Sequence, residues 1–202
     1  RDNHGVPLKG ARVLVLGAVD PNLDRRTATR QLRFPDQDTL VATLQARIDE
    51  AALAGASVVL LLVDQGSLEA DLALGASLSG VDVLLSATPA LLASENDLLV
   101  PGDTVAGPYP TLGTDAAGAP LALVATADRY RYLGRFQAEL DSFGVFTQAL
   151  APSGPQRILG APAEDGVESD NTFQTTVLDL LASDLAVLEE TTAATLGVPL
   201  DG

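Results

Sequence analysis

Apolar positions in this chain fall into short continuous runs, separated by polar and turn-rich stretches. "ARVLVLG" (residues 11–17) is β-rich and closed by glycine, which predicts a buried strand. "VDPNLDRRTATRQLRFPDQ" is polar and reads as a loop. In "DTLVATLQARIDEAALAG" Leu40, Leu44, Ile48 and Ala51 recur at helical spacing. Asp36 or Asp38 can cap this helix, and Gly55 can end it. "SVVLLLV" (residues 57–63) is apolar throughout, as expected of a strand covered on both faces. "SLEADLALGASL" suits a short helix and "VDVLLS" (residues 81–86) a third strand. Strand, helix, strand, helix, strand at this spacing predicts an α/β layer with parallel pairing.

The pattern changes after Leu92. "SENDLLVPGDTVAGPYPTLGTDAAGAP" is rich in Gly, Pro and Asp and reads as a loop. Residues 121–127, 131–140 and 145–150 read as strands, the last two joined by the turn "DSFG" into an antiparallel hairpin. "APSGPQRILGAPAEDGVESD" reads as a linker. A long helix follows in "NTFQTTVLDLLASDLAVLEETT", capped by Asp170 or Asn171. Its apolar stripe is Phe173, Val177, Leu180, Leu181, Leu185 and Leu188. The tail "ATLGVPLDG" reads as a strand opening a further domain, and no internal repeat is visible.

Length and composition narrow the functional classes. The 202 residues are 47% hydrophobic and 19% charged, so the middle of the chain is globular in composition. The net charge of −15, with a single lysine (Lys9), argues against nucleic acid and anionic membrane surfaces as partners. There is no Cys, which excludes disulfides, a thiolate nucleophile and zinc–thiolate sites. No run of about 20 apolar residues suggests insertion into a membrane. A start at Arg1 and an end on "GVPLDG" suggest a processed or partial chain.

Several segments in order resemble the 5′-nucleotidase branch of the calcineurin-like metallophosphoesterases. They are "GARVLVLGAV", "ALAGASVVLLLVDQGSLEADLAL", "LSGVDVLLSATPALL", "GPYPTLGTDAAGAPLALVATADRYRYLGRFQAELDSFG" and "TTAATLGVPLDG". The fourth is the most telling: Tyr-Pro precedes a Gly turn and a strand, then an aromatic-Leu-Gly leads a strand ending in Asp-x-x-Gly. The resemblance implies part of a four-layer α/β/β/α sandwich. Residues 1–152 would be the second half of its catalytic domain, and residues 153–202 a linker and helix leading towards a C-terminal domain. It also implies export to the periplasm, cell envelope or exterior.

In that family two metals at the strand ends activate water, held by His, Asp and Asn from several loops. The first-half motifs would lie upstream of Arg1. The second-half loops fall within this chain. "VDQG" stands where a Ser-His-x-Gly turn is expected, which puts Asp64 in the His position. "SATPA" stands where Gly-Gly-His-Ser-His is expected, which puts Thr88 and Ala90 in the seats of two His ligands. Thr is a poor ligand for a divalent transition metal and Ala is none. The resemblance thus implies the architecture with degenerate metal positions and no expected cofactor. The alternative is an active phosphoesterase using upstream ligands and a divalent metal, with Asp64 as a substitute. Half a sandwich would expose the inner face of its sheet, so the expected partner is the missing N-terminal half or another protein covering it.

The remaining polar groups have simpler readings. His4 in "RDNHG" lies too close to the first strand for an Asn-His-Glu motif, and Gly5 stands where Glu would be. It reads as a solvated turn within a hairpin. Asp64, Glu69 and Asp71 read as acids favoured by a helix dipole. Glu95, Asp97 and Asp103 lack calcium-loop spacing. Ser67 lacks a G-x-S-x-G elbow and a triad. Tyr109, Tyr130 and Tyr132 read as packing residues.

Overall fold

The computed structural model describes residues 12–23, 33–141, 145–160, 163, 165–168 and 170–189. It falls into two compact units, Arg1–Ile158 and Leu159–Gly202. His4 and its expected hairpin, the middle of the "DSFG" turn (142–144), the Leu188 side chain and the expected tail strand lie outside the described residues.

The first unit is built on a five-stranded sheet in the order β1-β2-β3-β5-β4. β1 (Arg12–Val19), β2 (Ala56–Asp64), β3 (Val83–Ser86) and β5 (Pro120–Val124) run parallel, and β4 (Thr111–Thr114) lies antiparallel to β5. α1 (Gln37–Leu53) crosses from β1 to β2 and α2 (Leu68–Ala76) from β2 to β3. Asp36 is the cap of α1: its carboxylate accepts from Thr39 N at 2.8 Å. Gly55, at φ +87°, lets the chain turn out of the helix, a left-handed conformation that costs other residues more. Ser67 caps α2 by accepting from Ala70 N at 3.1 Å.

Leu44 and Ile48 of α1 and Leu74 of α2 pack on Ala18, Leu61, Val63, Leu84, Leu121 and Leu123. Gly75 brings α2 close to the sheet. A Cβ there would lie 2.7 Å from both Leu84 Cδ1 and Leu121 Cδ2, in side chains that are themselves buried.

The opposite sheet face is apolar and largely open. Register aligns Val13 with Val58, Val15 with Leu60 and Val83, and Gly17 with Leu62 and Leu85. Val13, Val15, Val19 and Leu62 are 51%, 54%, 43% and 48% exposed, well above what a strand face in a closed core shows. The β5 side of this face is covered, and Tyr109 and Phe136 line the hollow there with Val124.

Two departures from the sequence reading come from long-range pairing. Residues 131–140 form two strands rather than one. β6 (Tyr132–Arg135) pairs with β9 (Gly154–Arg157), and β7 (Ala138–Leu140) pairs with β8 (Phe146–Ala149). The ladder changes partner at Phe136–Gln137, where Gln137 N donates to Ser153 Oγ and the Phe136 ring lies tilted against Phe146, centroids 6.1 Å apart. β9 lies in the expected linker and β4 in the expected Gly/Pro loop. Both are weak formers that take their hydrogen bonds from a neighbouring strand.

In the second unit, α3 (Asn171–Phe173), a π turn (Gln174–Leu178) and α4 (Asp179–Glu189) follow one another as the expected helix. Asp170 is its cap, accepting from Thr172 N at 2.8 Å. Thr175 and Thr176 donate back to the carbonyls of Asn171 and Thr172, a side-chain competition that loosens a helix locally. The stripe residues Phe173, Val177, Leu180, Leu181 and Leu185 are exposed.

Candidate functional site at the strand ends

The C-terminal ends of β1, β2 and β3 meet at one edge of the sheet. β2 hands over to the loop 65–67, and β3 to the loop 87–91. Main-chain bonds set these ends: Asp20 N donates to Asp64 O at 2.7 Å, and Ala87 N to Val63 O at 2.8 Å. The structure therefore brings Asp64 and the "SATPA" loop to neighbouring strand ends.

The organising group is Asp71, which is fully buried. It accepts from Gln65 N at 2.7 Å, Ser86 Oγ at 2.5 Å and Thr88 Oγ1 at 3.1 Å. One carboxylate on α2 thus pins the loop after β2 and the loop after β3. Ser86 Oγ also accepts from Thr88 N at 3.1 Å, which closes a small network. The sequence reading of Asp71 as a helix-dipole acid misses this role. The acid is in the first turn of α2, but tertiary contacts decide what its oxygens do.

Each of the three positions singled out in the sequence has a definite state. Thr88 points its hydroxyl into the Asp71 network. Ala90 offers only backbone, its N donating to Thr88 O at 2.7 Å. Asp64 is exposed, and its Oδ1 accepts from Gly66 N at 3.3 Å. Asp20, at the end of β1, is buried and accepts from Asn22 N and Nδ2 at 2.8 and 3.1 Å. Among the described residues no three His, Cys, Asp or Glu side chains gather to hold a metal ion. A two-metal centre needs several imidazoles and carboxylates converging, and the donors described at these strand ends do not fit one.

Of the other candidate acids, Glu69 and Glu95 are exposed, whereas Asp97 and Asp103 are engaged within the fold. Asp97 accepts from Ser94 N at 2.7 Å and packs against Gly154. Asp103 accepts from Tyr132 Oη at 2.7 Å and pairs with Arg131, and these two hold its carboxyl below the usual range. Burial, then the nearby Asp97, pushes the Tyr109 phenol up to about 12. Tyr109 and Tyr132 are buried packing residues as read, but Tyr130 is 95% exposed and sits at φ +56° next to Arg129 at φ +64°. Ion pairs of Asp128 with Arg129 and Arg131 brace that turn.

No family model matches the chain, and no curated protein sequence matches it. Solved structures do. The 5′-nucleotidase precursor from Thermus thermophilus superposes with a TM-score of 0.70 at 21% identity, over 94% of this chain and 35% of that one. The NAD nucleotidase of Haemophilus influenzae superposes with a TM-score of 0.60 at 17% identity, over 88% of this chain and 32% of that one. The chain spans about a third of the length of each. Over that third it has the α/β fold of these nucleotidases, and the resemblance read from its sequence holds at the level of fold.

Proposed function

We propose that this chain is a non-catalytic 5′-nucleotidase-like domain with a structural or interaction role, part of a larger exported or cell-envelope protein or complex. The state of the "SATPA" loop carries the reading. Thr88 spends its hydroxyl on a buried carboxylate, and Ala90 has no side-chain donor. Without a metal, nothing described at the strand ends polarises a phosphoryl group or activates water. The open face of β1–β3 supports the interaction role, since an apolar face of this kind is normally covered. Its cover would be the missing N-terminal half or another protein.

Metal analysis of the purified protein, with assays on AMP and p-nitrophenyl phosphate, tests this. The expected result is substoichiometric transition metal and no turnover. Bound metal with turnover that disappears in Asp64→Ala would establish the alternative, an active phosphoesterase using upstream ligands. The exposed Asp64 carboxylate at a strand end is the one observation that favours it.

A further inference from the structure

We infer that the β7–β8 hairpin is a clasp closed over Asp82, held most tightly in acid and released locally as that carboxylate ionises. The two strands pair only with each other among the described strands. A lone two-stranded hairpin is marginal in water, so its hold on the rest of the unit decides whether it stays closed. Phe146 is the one buried residue described in either strand. Its N–H donates to Asp82 Oδ1 at 3.1 Å, and its ring lies against Phe136. The other oxygen, Oδ2, accepts from Val59 N of β2 at 2.8 Å. One buried carboxylate just before β3 thus joins the hairpin to the sheet.

The surroundings penalise a charge at Asp82. Asp115, in the turn before β5, and Asp141, at the end of β7, both repel it. Asp115 accepts from Gly80 N, Ala117 N and Ala119 N, and Asp141 accepts from Val145 N. Glu139 of β7 is exposed and accepts from Gln148 Nε2. β2, β3, β5 and β8 contain no Lys, Arg or His, so no cation on those strands offsets the acids. Burial, ahead of this repulsion, holds the Asp82 carboxyl above its ordinary range against its two hydrogen bonds. Lifting Phe146 admits water and carries Asp141 away, so the open form tolerates the charge better. Protonation therefore favours the closed form, and that preference is lost as pH rises through the closed-form pKa. Release uncovers Val58 and Val83, which share a hollow with Ala138 and Leu140 of β7.

The test is amide hydrogen exchange of the full chain from about pH 4 to about pH 8, corrected for intrinsic rates, beside a carboxyl-detected NMR titration of Asp82. The hairpin amides, Phe146 first, should exchange faster than those of β3 and β5 at each pH. They should lose protection several-fold, with the midpoint at which Asp82 titrates. Asp82→Asn should flatten this profile. Asp141→Asn keeps an acceptor for Val145 N and removes one repelling charge, so it should move both midpoints to lower pH; it carries the test if Asp82→Asn does not fold. Hairpin protection that is independent of pH, or that rises with it, overturns the inference. So does hairpin exchange at the rate of β3 and β5, which marks opening of the whole unit, and so does a midpoint that departs from that of Asp82. None of these outcomes bears on the hydrolysis assays.

Discussion

Replacing Asp71 by Ala should destabilise the first unit more than any other single change at the strand ends. The carboxylate is fully buried and takes three hydrogen bonds, from Gln65 N, Ser86 Oγ and Thr88 Oγ1. Its loss strands one part-buried N–H and two part-buried hydroxyls. Each unsatisfied group costs about 1–3 kcal/mol, although rotating hydroxyls recover part of it. Relief of the buried charge offsets some of the remainder. A net loss of about 3 kcal/mol is expected, or roughly 6–12 °C in Tm for a domain of this size. Urea unfolding followed by circular dichroism gives the number. A double-mutant cycle with Thr88→Val separates the pair, with a coupling of about 0.5–3 kcal/mol expected for groups in direct contact. Asp71→Ala within about 0.5 kcal/mol of the parent, the range of an ordinary surface change, would refute the keystone role.

Gly75→Ala should destabilise by about 1–3 kcal/mol despite the better helix propensity of Ala, because Leu84 and Leu121 leave no room for a Cβ; calorimetry reads this directly. Burial of Asp82 holds its carboxyl above the ordinary range against the hydrogen bonds from Val59 N and Phe146 N, with Asp115 and Asp141 adding repulsion. A raised carboxyl binds its proton more tightly in the folded state, so its contribution is fully present below the unfolded pKa and lost as pH rises through the folded one. Urea midpoints measured upward from about pH 4 should therefore show a downward contribution that Asp82→Asn removes. Spectrophotometric titration should find a phenol ionising near 12 that is missing in Tyr109→Phe.

Local signals carried much of this architecture. Apolar runs placed β1, β2 and β3, and helical spacing with the caps Asp36 and Asp170 placed the first and last helices, because these depend on neighbours a few residues away. β4 and β9 were not legible, since Gly/Pro-rich segments become strands only when a distant strand supplies their hydrogen bonds. The change of partner at Phe136–Gln137 was hidden for the same reason. Asp71 shows the division most plainly. Its sequence neighbours mark it as an acid in the first turn of a helix, whereas its three donors come from residues 65, 86 and 88. Only the tertiary structure makes it the group that holds both loops, because a buried charge takes its meaning from the donors folded around it.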